Sequence, residues 1–206
     1  MNKQTTPLPT EPHLAQRERW PQEGKHILAH HDAQSVIVYQ AYRPAIGEYA
    51  IRHGRLDGPD FSLSRMSWIK PNFLWMMYRS GWGTKEGQEV TLGLRLRRAF
   101  FERVVREAVP STFDAERHPD RDAWQEAVNR SEVRLQWDPD HAPAGNKLER
   151  RAIQLGLRGR TLAAFANEEL LEVIDMRAFV DAQRPMAQND NPGLQLPVEH
   201  VLGFES

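Results

Sequence analysis

Val90-Thr-Leu-Gly-Leu-Arg-Leu-Arg97 sets Val90, Leu92, Leu94 and Leu96 on one face and Thr91, Gly93, Arg95 and Arg97 on the other. That period of two is the signature of a β-strand with one buried side. The period then changes, because Phe100, Phe101, Val104, Val105 and Ala108 recur at helical spacing, so a strand is predicted to run straight into a helix. Upstream, Val36, Ile37, Val38 and Tyr39 predict a strand over 35–42 that is buried on both faces. Pro44 opens a helix that Gly54 closes, in the position of a left-handed cap. Phe61–Ile69 reads as a second extended segment. Pro71 then starts a short helix whose run Phe73–Tyr78 offers no polar face, and Gly81 and Gly83 end it.

Downstream, Pro110–Asp122 has the composition of a charged loop and Trp124–Arg130 that of a short helix. Strands are predicted at 133–138, 151–157 and 170–175, with a helix over 161–167 between the last two and a helical turn over 176–182. About six strands and four to five short helices, without regular alternation, predict an α+β fold: one domain on a mixed, largely antiparallel sheet. Residues 34–184 would form it. The polar stretch 1–33 reads as a loose N-terminal arm, and 185–206, with Pro185, Pro192 and Pro197, as an extended tail.

Composition narrows the chemistry. A chain of 206 residues, 40% hydrophobic, can bury one sizeable core. Cysteine is lacking, which excludes disulfides and thiolate chemistry and fits a reducing, cytoplasmic setting. No apolar run is long enough to serve as a signal-peptide core or to span a bilayer, so no membrane partner is expected. The eight histidines are scattered without metal-ligand spacing, so no metal is predicted. Neither a P-loop nor a Gly-x-Ser-x-Gly elbow occurs. Asp138, Asp140 and His141 suggest acid and base work, but Asp-Pro-Asp reads first as a turn.

Net charge is −1, yet its distribution is uneven. Between Arg65 and Glu107 nine Lys or Arg face four Glu, a local balance of +5, which leaves −6 elsewhere. The segment Arg65–Lys85 carries three tryptophans and four cations. Cations beside flat aromatic faces suit a ligand with phosphates and a base. The competing reading is that Trp68 and Trp75 are core and their cations merely flank it; Trp82, between two glycines, fits a core less well. On the strands, Arg95, Arg97, Arg134, Gln136 and Gln154 project away from the core positions. They line either an anion-binding cleft or a solvated sheet face.

The runs Val-Tyr-Gln-Ala-Tyr (38–42), Met-Ser-Trp-Ile-Lys-Pro-Asn-Phe-Leu-Trp-Met-Met-Tyr-Arg-Ser-Gly-Trp (66–82), Val-Arg-Leu-Gln-Trp-Asp-Pro (133–139) and Arg-Ala-Ile-Gln-Leu-Gly-Leu (151–157) resemble the signatures of the domain of unknown function 4291 family. The resemblance spans about residues 15–182 and implies no established reaction. Tyr39-Gln40 closing a strand, followed by a helix ending in Gly54-Arg55-Leu56, more distantly resembles the opening of ADP-ribosyltransferase folds. That likeness implies NAD as cofactor. Those folds usually place His or Arg where Gln40 stands, and often a Glu late in the sheet, where Gln136 and Gln154 are the nearest counterparts.

The expected site is thus a pocket for a nucleotide-like small molecule. Arg43, Arg65, Lys70 and Arg79 would neutralise phosphate, Trp68 and Trp82 would wall it, and Gln40, Tyr42 and Gln154 would complete it. Transfer of ADP-ribose is the reaction class implied if the protein is an enzyme. The alternative is a non-catalytic module for RNA or single-stranded DNA that uses the same cations along a groove.

Overall fold

Two sheets meet at a single isolated backbone bridge. The computed structural model describes residues 7–188 and 190–204. Over these the chain forms β1 (Thr10–Pro12), α1 (His13–Arg19), β2 (Gly24–Lys25), β3 (Leu28–Ala29), β4 (Ser35–Tyr42), α2 (Pro44–His53), β5 (Ser67–Ile69), α3 (Phe73–Ser80), β6 (Val90–Arg97) and α4 (Arg98–Glu107). There follow β7 (Val109–Pro110), α5 (Arg121–Arg130), β8 (Val133–His141), β9 (Lys147–Leu157), α6 (Gly159–Ala166), β10 (Leu170–Asp175), α7 (Arg177–Gln183), β11 (Gln195–Pro197) and β12 (His200–Val201). The result is a single α+β domain with largely antiparallel pairing, as the alternating patterns predict.

In the first sheet β6 lies between β10 and β4, antiparallel to both. In the second, β9 pairs antiparallel with β8 and β5 and parallel with β2, and β7 adds to β8 in parallel. Tyr39 and Lys70 join the sheets: the Tyr39 N–H donates to the Lys70 carbonyl at 2.6 Å, and the Lys70 N–H to the Tyr39 carbonyl at 3.3 Å. β4 divides two apolar cores, because successive side chains point to opposite faces. Val36 and Val38 join Leu92, Leu94, Phe101, Ile153 and Leu155 in one core, while Ile37 and Tyr39 join Phe73, Met77 and Leu196 in the other.

Phe61–Met66, read as extended, has no ladder partner; its residues form turns, and Phe61 packs edge-on against Tyr42. The ends of the chain also differ from their composition. The stretch read as a loose arm is packed along its described residues, since β1 pairs with β11 and β3 with β12. The fully buried Gln16 donates to the carbonyls of Leu196 and Pro197 at 3.2 and 3.1 Å and accepts the Glu199 N–H at 2.9 Å. Trp20 Nε1 donates to the Glu199 carbonyl at 3.0 Å. The polar residues of each terminus find their partners in the other terminus, a pairing that local composition does not register. Residues 1–6, 189, 205 and 206 of the arm and tail lie outside the described residues.

This junction buries the Glu199 carboxyl, which accepts the Phe73 N–H at 2.7 Å. Burial is the main cause that raises its pKa well above the usual carboxylate range. A carboxyl with a raised folded pKa favours the folded state fully below its unfolded value; that stability is lost as pH rises from about 4.5 towards the folded pKa. Glu199→Gln is therefore expected to raise the melting temperature at pH 8 and leave it near wild type at pH 4. Thermal unfolding across that range checks the difference.

Candidate functional site

The second sheet has one face that α3 covers only in part. Residues 134, 136 and 138 of β8, 154 and 156 of β9, and 68, with 70 just beyond β5, point to it by strand alternation and register. At its edge the two sheets are fastened by side chains rather than by a continued ladder. Gln40 Nε2 donates to Ser67 Oγ at 2.7 Å and to the Trp68 carbonyl at 3.1 Å, and Gln40 Oε1 accepts from the Tyr42 hydroxyl. Gln40 is 5% exposed. Its amide is committed on both sides, so it acts as a clamp between sheets rather than as a group that orients a ligand. Burial raises the Tyr42 pKa, which keeps this hydroxyl a donor.

Lys70 stands at the centre. It is 6% exposed, yet no carboxylate lies within ion-pair distance among the described residues; its Nζ donates only to the Trp68 carbonyl, at 3.3 Å. Burial, reinforced by the Arg79 charge and opposed by Asp138, lowers its pKa to about 8. Arg79 lies exposed on α3 and forms no ion pair among the described residues. Trp68 lies over Gly156: a Cβ there would come within 3.0 Å of the indole and 2.6 Å of the Met66 sulfur. Only glycine leaves room for that seat.

Gln136 and Gln154 are cross-strand partners, and both turn to one carboxylate. Gln136 Nε2 donates to Asp138 Oδ1 at 2.8 Å and Gln154 Nε2 to Asp138 Oδ2 at 2.7 Å. Two amides thus fix Asp138 on the face that carries Lys70. Beside this face, the rim of β8 and the 110–117 loop border an open cleft of about 910 Å³, lined by Lys25, Phe113, Gln136, Trp137, Asp138 and Arg151 among others.

Of the residues read from sequence, strand register places Trp68, Lys70 and Gln154 on one face, with the Arg79 charge felt at Lys70, whereas Gln40 and Tyr42 bond to each other at the sheet junction and Tyr42 packs against the first core. The others do not join them. Trp82 is core: it is 8% exposed, meets Phe73 edge-on at 6.0 Å, and its Nε1 donates to the Pro143 carbonyl at 3.1 Å. The left-handed conformations of Gly81, Trp82 and Gly83 turn the chain inward at the end of α3, which the flanking glycines did not suggest. Arg43 is engaged with Asp60 at 2.7 Å on the surface, and Arg65 is exposed. Arg95 and Arg97 belong to the first sheet, where they pair with Glu172 at 2.8 Å and Glu169 at 3.5 Å. Trp75 is buried and stacked near-parallel on His141 and Tyr78.

Asp138-Pro-Asp140 is not a turn. It lies within β8, where a register shift after Pro139 absorbs the proline, and the reversal falls at 142–146 instead. Asp138 is therefore the carboxylate that sequence reading set aside; its spacing of two from Gln136 was the available signal. Among the described residues, no group of three or more His, Asp or Glu is placed to hold a metal ion, and no helix is long and apolar enough to cross a membrane.

A family model described as a domain of unknown function matches residues 26–202, from the end of β2 to β12, and so covers the whole polar face. The chain belongs to the DUF4291 family. None of the curated proteins matches it. Every group of the face just described therefore lies within the DUF4291 domain itself, including the Lys70 amine and the amide-held Asp138.

Proposed function

We propose that this face binds a nucleotide or another phosphate-bearing small molecule. The observation that carries the reading is Lys70, a buried cation with no carboxylate in ion-pair contact among the described residues, on the same face as Trp68 and an amide-fixed carboxylate. A desolvated ammonium without a partner is costly, and an anion arriving beside it would relieve that cost. Lys70 and Arg79 would take phosphate, Trp68 would stack, and the cleft beside β8 has room for the rest of such a ligand.

The reaction class we assign for test is transfer of ADP-ribose from NAD. As nicotinamide leaves, positive charge develops on the ribose, and a carboxylate held in place beforehand is suited to stabilise it. Asp138 would fill that role, with Gln136 and Gln154 positioning it. The small-ligand reading is favoured over a nucleic-acid groove because Arg95, Arg97, Arg98, Arg103 and Arg106 all have carboxylate partners, which breaks any continuous basic track.

The test is a thermal-shift panel with NAD, ADP-ribose, ATP, GTP and short RNA and DNA strands at low and moderate salt. A rise with a nucleotide that survives salt and falls at least tenfold in apparent affinity in Arg79→Ala is expected. A rise with nucleic acid alone, lost as salt increases, would replace this reading with the binding module. No rise with any of them would overturn both. Nicotinamide release from NAD, lost in Asp138→Asn, checks the transfer step.

A further inference from the structure

We propose that Lys70 is a covalent carbonyl-capturing residue, forming an imine with a phosphate-bearing aldehyde or ketone. This deepens the ligand-site reading by naming a substrate class for the same face. Three features carry it. The amine is nine-tenths buried and lacks a carboxylate in ion-pair contact among the described residues. The Arg79 guanidinium is near enough to oppose its protonation. Asp138 lies on the same face of the sheet and is fixed there by Gln136 and Gln154. A lysine that is desolvated beside another cation is the arrangement that exposes a neutral, nucleophilic amine near neutral pH. Its lowered pKa, about 8, agrees with that geometry.

The step balances without a further reactant. The neutral Nζ lone pair attacks the carbonyl carbon, and one amine proton passes to the carbonyl oxygen to give a carbinolamine. The second amine proton, relayed by Asp138 or solvent, goes to that hydroxyl, which leaves as water, and the C=N bond remains. No electrons are gained or lost, and water reverses the reaction.

Pyridoxal 5′-phosphate is a suitable probe because it carries an aldehyde, a phosphate and a ring that can stack on Trp68. After borohydride reduction, which adds hydride to the imine and makes it permanent, peptide mapping locates the adduct among the five lysines of the chain. The expected result is labelling of Lys70 at pH 7.5 at least about tenfold above any other lysine, rising through pH 8 as the amine loses its proton. Lys70→Arg, which cannot form the imine, should lose this adduct. Labelling confined to Lys25, Lys85 or Lys147 would overturn the proposal. If nucleotides bind and Lys70 stays unlabelled, capture fails while the binding reading stands; if Lys70 is labelled and no nucleotide binds, the capture proposal stands and the nucleotide reading fails.

Discussion

Lys70→Met is expected to make the protein more stable and to weaken its ligand response sharply. The two chains have similar length, so Met fills the same space beside Trp68 without a charge to desolvate. With the amine lowered from about 10.5 to about 8, the folded state bears a cost on the order of 3 kcal/mol at neutral pH. The sign with pH follows. Below pH 8 the lysine is charged in both states and the cost is present in full. Between 8 and 10.5 the unfolded chain binds more protons, so wild-type stability rises with pH in that window. Lys70→Met should therefore melt several degrees higher at pH 7, with the gap closing towards pH 10.5. The same variant should lose ten- to a hundredfold in nucleotide affinity, roughly the worth of a charge-assisted hydrogen bond. A destabilised variant, or one that binds as tightly as the wild type, would remove Lys70 from the site.

Asp140→Ala should have the opposite effect on stability. Asp140 and Arg150 form a pair at 2.7 Å, with side chains only 1% and 3% exposed. Arg150 also donates to the Pro21 carbonyl at 2.6 Å and lies over the Trp20 ring at 5.3 Å, so it ties β9 to the N-terminal segment. Removing the carboxylate leaves a guanidinium buried without its counter-charge, a loss of about 3–5 kcal/mol. For a domain of this size that lowers the melting temperature by about 10 °C. Urea unfolding of wild type, Asp140→Ala and Asp140→Asn checks it. The Asn variant should fall between the others, because it keeps an acceptor for Arg150 but not the charge.

Much of the fold was legible because its signals are local. The alternation over 90–97, the apolar run over 35–42 and the proline and glycine that bracket α2 all specify structure within a few residues. The site was legible as composition but not as geometry. Trp68, Lys70 and Arg79 stand out in the segment 65–85, and they do converge. Trp82 stands out equally, yet its ring is needed by Phe73 in a core assembled from distant segments. Asp138 was hidden by a rule of thumb, since proline beside aspartate usually marks a turn; here a bulge in β8 accommodates it. The pairing of the termini could not be read at all, because each strand there is only two or three residues long and depends on a partner more than 150 residues away.

That pairing also orders events in time. β1 and β3 precede both sheets in the chain, but their partners β11 and β12 follow them, so the early segment waits until the residues of both sheets have been made before its ladder can form. Trp20, Gln16 and the face of Tyr39 that points to the second core remain uncovered during that wait. The first sheet completes at β10, and the second, apart from the short β2 edge, needs only residues 67–157, so both can assemble on their own neighbours. The second core is therefore the late-closing part of the molecule on the ribosome, and the part where a stalled nascent chain is most exposed to association with others.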